Sequence, residues 1–506
     1  MPALIIHGHF YQPPRENPRT GEIERQLSAA PYHDWNERIH AECYGPNAFA
    51  RIGGDTPERV VNNYSNISFN FGPTLMYWLE RHTPRTYQRI LDADAESIRS
   101  RGGHGNAIAQ AYGHAILPLL NSRDRLTHIV WGLADFRYRF GRRAEAIWLP
   151  ETACNDEVLE LLIEQGMRYV ILSPQQARRI RRIDDSNWID VSSGKVDATQ
   201  PYRFFHRDGS RRSLVVFFYH GPLARSIAFE RALASSSELM ERFIAVAQTG
   251  PLVTAATDGE TYGHHFKFGD LCLAHALEVE ALQSGFQITN YGEYLDHHEP
   301  SYEVQIDNGP MDQGTSWSCT HGVGRWSHDC GCQTGGETGW NQSWRQPLRE
   351  ALGFLRSDAD DRFEKHGQEL FINPWQARND YINVILDAAS ANDFLNEQCH
   401  GALHNEDKAR ALTLLEIQNN SLLMFTSCGW FFSDLGGIET VQVLRYAARV
   451  IELQTQLGFD VPRTRFLQML SQAHSNVAEK GSGADIFRRL EASQDHAAIR
   501  EPTTVV

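Results

Sequence analysis

Seven short apolar runs, each ending in polar, glycine or proline residues and most leading into a helical pattern, constrain this chain more than any other feature. They are Ala3 to Ile6, Ile67 to Phe71, Ala107 to Ala111, Ala144 to Trp148, Tyr169 to Leu172, Leu214 to Tyr219 and Leu252 to Ala256. Several are too apolar for a sheet with one wet face, so they read as parallel strands covered by helices. Residues able to do chemistry sit at or just after the ends of these runs: His7, Asn70, Glu151 and Asp258. In a parallel α/β fold such positions collect at the C-terminal ends of the strands, where these folds build their sites. The expectation is an α/β protein that begins with a (β/α) barrel. An open doubly wound sheet fits the same runs, but no G-x-G-x-x-G or G-x-x-x-x-G-K-[ST] follows any of them, which speaks against a nucleotide site.

The chain has 506 residues, room for more than one domain. From about Gln342 the texture turns helical. Val441, Leu444, Ala448 and Ile451 mark one helix face, and Leu412, Leu415, Leu422 and Leu423 lie in another helical stretch. The expected organisation is a catalytic barrel over 1–300, a Gly/Trp/Cys-rich loop region over 301–341 that contributes to the site, a helical bundle over 342–480 and a peripheral tail over 481–506. A net charge of −15 without runs of like charge argues against a nucleic acid or an anionic membrane as partner. The N-terminus lacks a basic n-region and no run of 18 apolar residues occurs, so neither a signal peptide nor a membrane span is expected. Eight cysteines, scattered apart from one cluster, do not make a disulfide framework, and a reduced cytoplasmic setting is expected.

Four segments carry candidate chemistry. In IWLPETACNDE (147–157), Glu151 follows a strand and a proline, with Trp148 as an apolar wall for a sugar ring; alternatively, Glu151 caps the following helix. In TAATDGETYGHH (254–265), Asp258 ends an apolar run and is followed by Glu260, His264 and His265. Two carboxylates on two strand ends are the equipment of glycoside hydrolysis, one attacking or stabilising the anomeric carbon and one held protonated for the leaving oxygen. IIHGHFYQPP (5–14) puts His7 and His9 on one side of the first strand, followed by Gln12; they suit a metal pair, donors to sugar hydroxyls or packed core histidines. HGNAIAQAYGHAILPLL (104–120) adds His104, Gln110, Tyr112 and His114.

The ordered set HGHFYQPP, HGNAIAQAYGHAILP, WLPETA and TDGETYGHH resembles the first four signature regions of glycoside hydrolase family 57, and SCTHGVGRW (318–326) is similar to the fifth. The resemblance implies a retaining enzyme acting on α-glucans, a distorted (β/α)7 barrel followed by a helical domain, Glu151 as nucleophile and Asp258 as acid/base. It implies an oligo- or polysaccharide partner contacted by His7, His9, Gln12, His104, His114, Trp148, Glu260, His264, His321 and Trp326, and no cofactor. HGHFYQPPRENP, DCGC and MFTSCGWFFSDLGG resemble a branch of that family whose members carry an additional domain of unknown function.

Two other readings compete. One is a metal-dependent hydrolase or deacetylase with His7, His9, Asp258 and His264 or His265 as ligands. The related zinc α-mannosidases place an Asp soon after the second His, whereas Phe10, Tyr11 and Gln12 stand here. The other is a carbohydrate-binding barrel without catalysis, which has no need of both carboxylates. Separately, Cys319, His321, Cys330 and Cys332 offer three thiols and an imidazole, enough for a tetrahedral zinc. The C-x-C spacing is less usual than C-x-x-C and His321 can belong to the sugar site, so a loop without metal is the expectation. Cys428 is expected to be buried.

Overall fold

The computed structural model describes residues 1–53 and 59–498. All seven apolar runs contain strands: β1 (Ala3–Phe10), β2 (Ser68–Phe71), β3 (Ala109–Gln110), β4 (Ile147–Trp148), β5 (Tyr169–Leu172), β6 (Ser213–Phe218) and β7 (Leu252–Asp258). β1 pairs in parallel with β7 and with β2. A single bridge, Phe69 to Ala107, carries the order on to β3, which pairs with β4. The bridge Ala146 to Tyr169 leads to β5, and β5 pairs with β6. Beyond β6, the His220 N–H donates to Thr254 O of β7 at 3.0 Å. The strands thus neighbour one another in chain order, and the fold is α/β with a (β/α)7-type barrel. Its distortion lies in β3 and β4, two residues each, whose outer neighbours are reached by single bridges.

All eight residues of β1 are buried, as expected of a strand covered on both faces. Ile5, Trp148, Ile171, Phe217 and Tyr291 belong to one buried cluster, so the interior is filled by side chains. Among the further strands not apparent in the sequence, four extend the sheet at β6. Tyr202–Phe205 runs antiparallel to β6, and Tyr302–Ile306, Ala177–Arg182 and Ile189–Asp190 extend the sheet outward. The segment 301–341 therefore opens with a strand and becomes irregular only after it.

The chain divides into two compact units: residues 1–12, 24–112 and 132–318 form the first, and 13–23, 113–131 and 319 onward the second. The boundary expected near 300 thus falls at 318, and two early segments belong to the helical unit. Those segments are tied in by charge. Arg19 pairs with Glu452 at 2.8 Å, and Asp124 pairs with Arg378 at 2.8 Å, both side chains of the latter pair being 2% exposed. The second unit is built on α1 (Arg345–Leu370), α2 (Asn405–Leu423), α3 (Ile438–Gln456), α4 (Arg463–Leu470) and α5 (Gly483–Ala498). α3 buries Val443, Leu444, Ala447, Ala448, Val450 and Ile451, more than one face, as a central helix does.

The stretch expected to be a peripheral tail is α5 as far as Ala498, with Ile486 and Phe487 buried and Phe487 edge-on to Phe466 at 5.2 Å. Ala484 is buried beside them, so a short apolar face docks a helix that is otherwise largely polar. The end of that tail, 499–506, lies outside the described residues. Cys428 is only partly buried, because α3 packs against the short helix Cys428–Phe431 through Gly429 and Thr440 rather than through the thiol. Among the described residues, no helix is long and apolar enough to cross a membrane.

Candidate active site

The register of the first sheet assembles one polar layer. His9 is level with Asn70 on β2 and with Asp258 on β7, and His7 is level with Ser68 and Ala256. Side chains two apart on a strand share a face, so His7 and His9 point the same way. His7 lies between Ser68 Oγ (3.0 Å) and Asn70 Oδ1 (3.0 Å) and stacks on Trp148 with ring centres 4.7 Å apart. His9 is hydrogen-bonded to Asn70 and stacks on the same Trp148 at 5.0 Å, and Asn70 donates on to Gln110 at 2.8 Å. Burial lowers both imidazoles to about 3, with His7 adding a like charge against His9, so both are neutral at pH 7.

Asp258 is the last residue of β7, and its side chain is exposed. Its carboxyl is nevertheless held well above the usual carboxylate range, first because surrounding protein displaces water, then by the charges of Glu260 and Glu151. Glu260 is buried two residues on. It accepts from Tyr44 Oη at 2.5 Å and from Tyr11 N at 3.2 Å, and from the Gln12 amide, and burial pushes it up to about 7 against those donors. The residue between them must be glycine, because a Cβ at Gly259 would stand 2.2 Å from the Phe10 ring.

Glu151 sits in the turn after β4. Its φ of 58° and the 51° of Thr152 are both left-handed, and neither residue is glycine. Each such residue costs about 1–3 kcal/mol, a strain that marks functional turns. The segment 315–318 holds the turn from outside. Trp317 N donates to Glu151 O at 3.1 Å, Trp317 Nε1 to Glu151 Oε2 at 3.0 Å and Ser318 Oγ–H to the same oxygen at 2.6 Å. Donors of this kind stabilise a carboxylate charge and fix its orientation.

Several sequence expectations change. His7 is fully buried and Trp148 is 1% exposed, so both are packed within the layer. The open indole is that of Trp317, half-buried and edge-on to Trp148 at 5.2 Å. Trp317 and Ser318 were missed as Glu151 partners, although they adjoin the SCTHGVGRW segment. His104 precedes β3 rather than following it. With Glu145 before β4 and Arg168 before β5, it forms a charged group with Asp296 at the N-terminal ends of the strands, away from the carboxylates. His264 is half-buried and paired with Glu42. In the second unit, His114 is buried with Nδ1 2.6 Å from Ser427 Oγ, and Trp326 is wholly buried and offers no face for stacking. His321 lies among Cys319, Cys330 and Cys332. That is the one group of three or more metal-ligating side chains gathered within bonding reach among the described residues, so the geometry does not assemble His7, His9 and Asp258 as a metal site.

Comparison with known proteins bears on this arrangement. The sequence pattern of glycosyl hydrolase family 57 matches residues 32–307, and that of a domain of unknown function (DUF3536) matches 340–498. A 4-alpha-glucanotransferase of Thermococcus litoralis is 24% identical over 289 residues, 56% of this chain and 39% of that protein. The chain thus spans about two fifths of the length of the curated relatives it matches. Among solved structures, an exo-type maltose-forming amylase from Pyrococcus sp. ST04 superposes with a TM-score of 0.66 at 14% identity, covering 92% of this chain and 82% of that one. A branching enzyme of Pyrococcus horikoshii gives 0.54 at 15% identity, covering 100% and 98%. These likenesses show a shared fold.

Proposed function

The chain belongs to glycosyl hydrolase family 57, and from that membership we propose that it cleaves or transfers α-glucan linkages with retention, Glu151 acting as nucleophile and Asp258 as acid/base. The observation that carries the proposal is the contrast between the two carboxyls. Glu151 is oriented by Trp317 and Ser318, whose donors suit an anion, while surrounding protein and the charges of Glu260 and Glu151 hold the Asp258 carboxyl well above the usual carboxylate range. One group is prepared to attack and the other to donate.

Asp258 gives its proton to the glycosidic oxygen as the bond from that oxygen to the anomeric carbon breaks, and Glu151 takes the carbon as a glycosyl ester. Asp258, now a carboxylate, removes a proton from water or from a sugar hydroxyl, whose oxygen displaces Glu151. Two inversions return the starting configuration. The partner is an oligo- or polysaccharide. The compartment we assign is the cytoplasm, where eight free thiols suit a reducing medium.

The test is proton NMR of the first product formed from a malto-oligosaccharide, with and without glucose as acceptor. An α-anomer is expected, and a β-anomer from an α-linked substrate overturns the role of Glu151. In the same assay Glu151→Gln should lose about a thousandfold or more of its turnover while still binding the saccharide; a variant that keeps more than about a tenth excludes a nucleophile at this position.

A further inference from the structure

We infer that Cys319, His321, Cys330 and Cys332 form a structural zinc site in the second unit. Their four ligand atoms all lie within 4.8 Å of one another. Cys319 Sγ is 3.8 Å from Cys330 Sγ and 3.8 Å from Cys332 Sγ, and Cys332 Sγ is 3.5 Å from His321 Nδ1. A tetrahedral zinc with Zn–S near 2.3 Å and Zn–N near 2.05 Å requires about 3.8 Å between sulfurs and about 3.6 Å between sulfur and nitrogen. These three separations are the ones the ion needs, and the remaining ones lie within 4.8 Å. At 3.8 Å no two sulfurs are bonded to each other, and all three cysteines are free.

The surroundings were shaped for the same purpose. Gly331, between Cys330 and Cys332, has φ +80°, a conformation that lets the chain double back within one residue and that other side chains adopt under strain. Asp329 holds this turn, accepting from Gly331 N at 3.1 Å through one oxygen and from Gln342 N at 3.1 Å through the other. The charge balance gives a second, independent reason. Arg345 is completely buried and donates from Nη1 to Cys332 O at 2.7 Å, while its Nε and Nη2 have no hydrogen-bond partner. Among the described residues, no carboxylate forms an ion pair with it. A buried guanidinium that no carboxylate pairs directly is costly. Three thiolates, one imidazole and a divalent zinc sum to one negative charge beside it, which adds to the charge of the nearby Asp329 carboxylate and offsets that of Arg325.

Four protein ligands close the coordination sphere, so the site's task is to hold the segment 319–332 in shape rather than to activate water. The soft donor set of three sulfurs and one nitrogen favours zinc over magnesium, calcium or manganese.

The test is elemental analysis of the whole chain purified under reducing conditions without chelator. About one zinc per chain is expected, released by a mercurial reagent that titrates the thiols. Refilling the stripped protein with cobalt(II) should give the intense visible bands and thiolate charge-transfer absorption of a tetrahedral site, and the Cys330→Ser/Cys332→Ser double variant should bind neither metal. Should that variant fail to fold, the cobalt spectrum of the unaltered chain still decides. A stripped or as-purified protein that takes up less than roughly a tenth of an equivalent of zinc and shows only weak octahedral cobalt absorption overturns the inference. So does a disulfide between any two of the three cysteines in freshly isolated, alkylated protein.

Discussion

Asp258 and Glu260 stand two residues apart at the end of one strand, and each affects how firmly the other keeps a proton. Glu260 is pushed up to about 7 by burial, so above that pH it carries a charge that makes the Asp258 carboxylate still less favourable. The alkaline limb of the activity profile reports the loss of the acid's proton. In Glu260→Gln the charge is gone, while the amide oxygen can still accept from Tyr44 and from Tyr11 N. Asp258 then loses its proton more readily, and the alkaline limb of kcat/KM should move to lower pH, with the fold intact by circular dichroism. A limb that stays in place, or moves to higher pH, means that Glu260 does not tune the acid. His7 and His9 are neutral throughout this range, since burial keeps them near 3, and contribute nothing to either limb.

At the level of elements, Glu151, the proposed nucleophile, depends on a turn that is strained from within and pinned from outside. Glu151 and Thr152 occupy left-handed φ angles that a free loop would abandon, and segment 315–318 holds them there, with Gln176 Nε2 adding a bond to Thr152 O at 2.8 Å. Trp317→Phe keeps the ring but removes the N–H that orients Glu151 Oε2. With Ser318 Oγ–H left to hold that oxygen without Trp317, the carboxylate is less firmly set in the attack geometry, and a small displacement costs roughly tenfold to a hundredfold. The loss should fall on kcat with KM and melting temperature little changed, and a variant with wild-type kcat excludes the positioning role. The sequence showed both carboxylates because a buried parallel strand reads as an unbroken apolar run and its end is therefore easy to find. It did not show Trp317, whose contact with Glu151 spans 166 positions and leaves no periodic trace. Ala177–Arg182 was missed for a related reason: as Ala-Arg-Arg-Ile-Arg-Arg it buries only Ala177 and Ile180, and its arginines hide the pattern. His104 was misplaced because the beginning of β3 was taken for its end, which turned a group at the N-terminal ends of the strands into a neighbour of the site. Trp148 is expected at the sugar from its place beside Glu151 and Trp326 from the family resemblance, and burial is set by packing that the sequence does not display.

Over the whole molecule, two sets of buried groups pull the stability in opposite directions as the pH falls. His7, His9 and His128 are lowered by burial to about 3, 3 and 4, whereas in the unfolded chain each binds a proton near its ordinary value of about 6.5. Between those limits the unfolded state holds more protons, so the stability these histidines contribute is present above about 6.5 and is lost as the pH falls toward 3. Glu260, raised to about 7, and Asp360, raised to about 6 by burial and then by Asp124, act with the opposite sign. The folded state protonates them first, so their contribution is full below the ordinary carboxylate range and is lost as the pH rises through their folded values. From about 6.5 to 4.5 the two carboxyls offset part of what the histidines lose. Below about 4.5 the carboxyls are protonated in both states and their gain is exhausted, while the histidines go on favouring the unfolded chain. The melting temperature at constant ionic strength should therefore fall gently between pH 6.5 and about 4.5 and steeply from there to about 3.5. A melting temperature that declines steadily from pH 6.5 would show that Glu260 and Asp360 are charged in the folded protein; one that holds to pH 3.5 would show that the histidines are not kept neutral, and with them the packing of His7 and His9 on Trp148 would have to be redrawn.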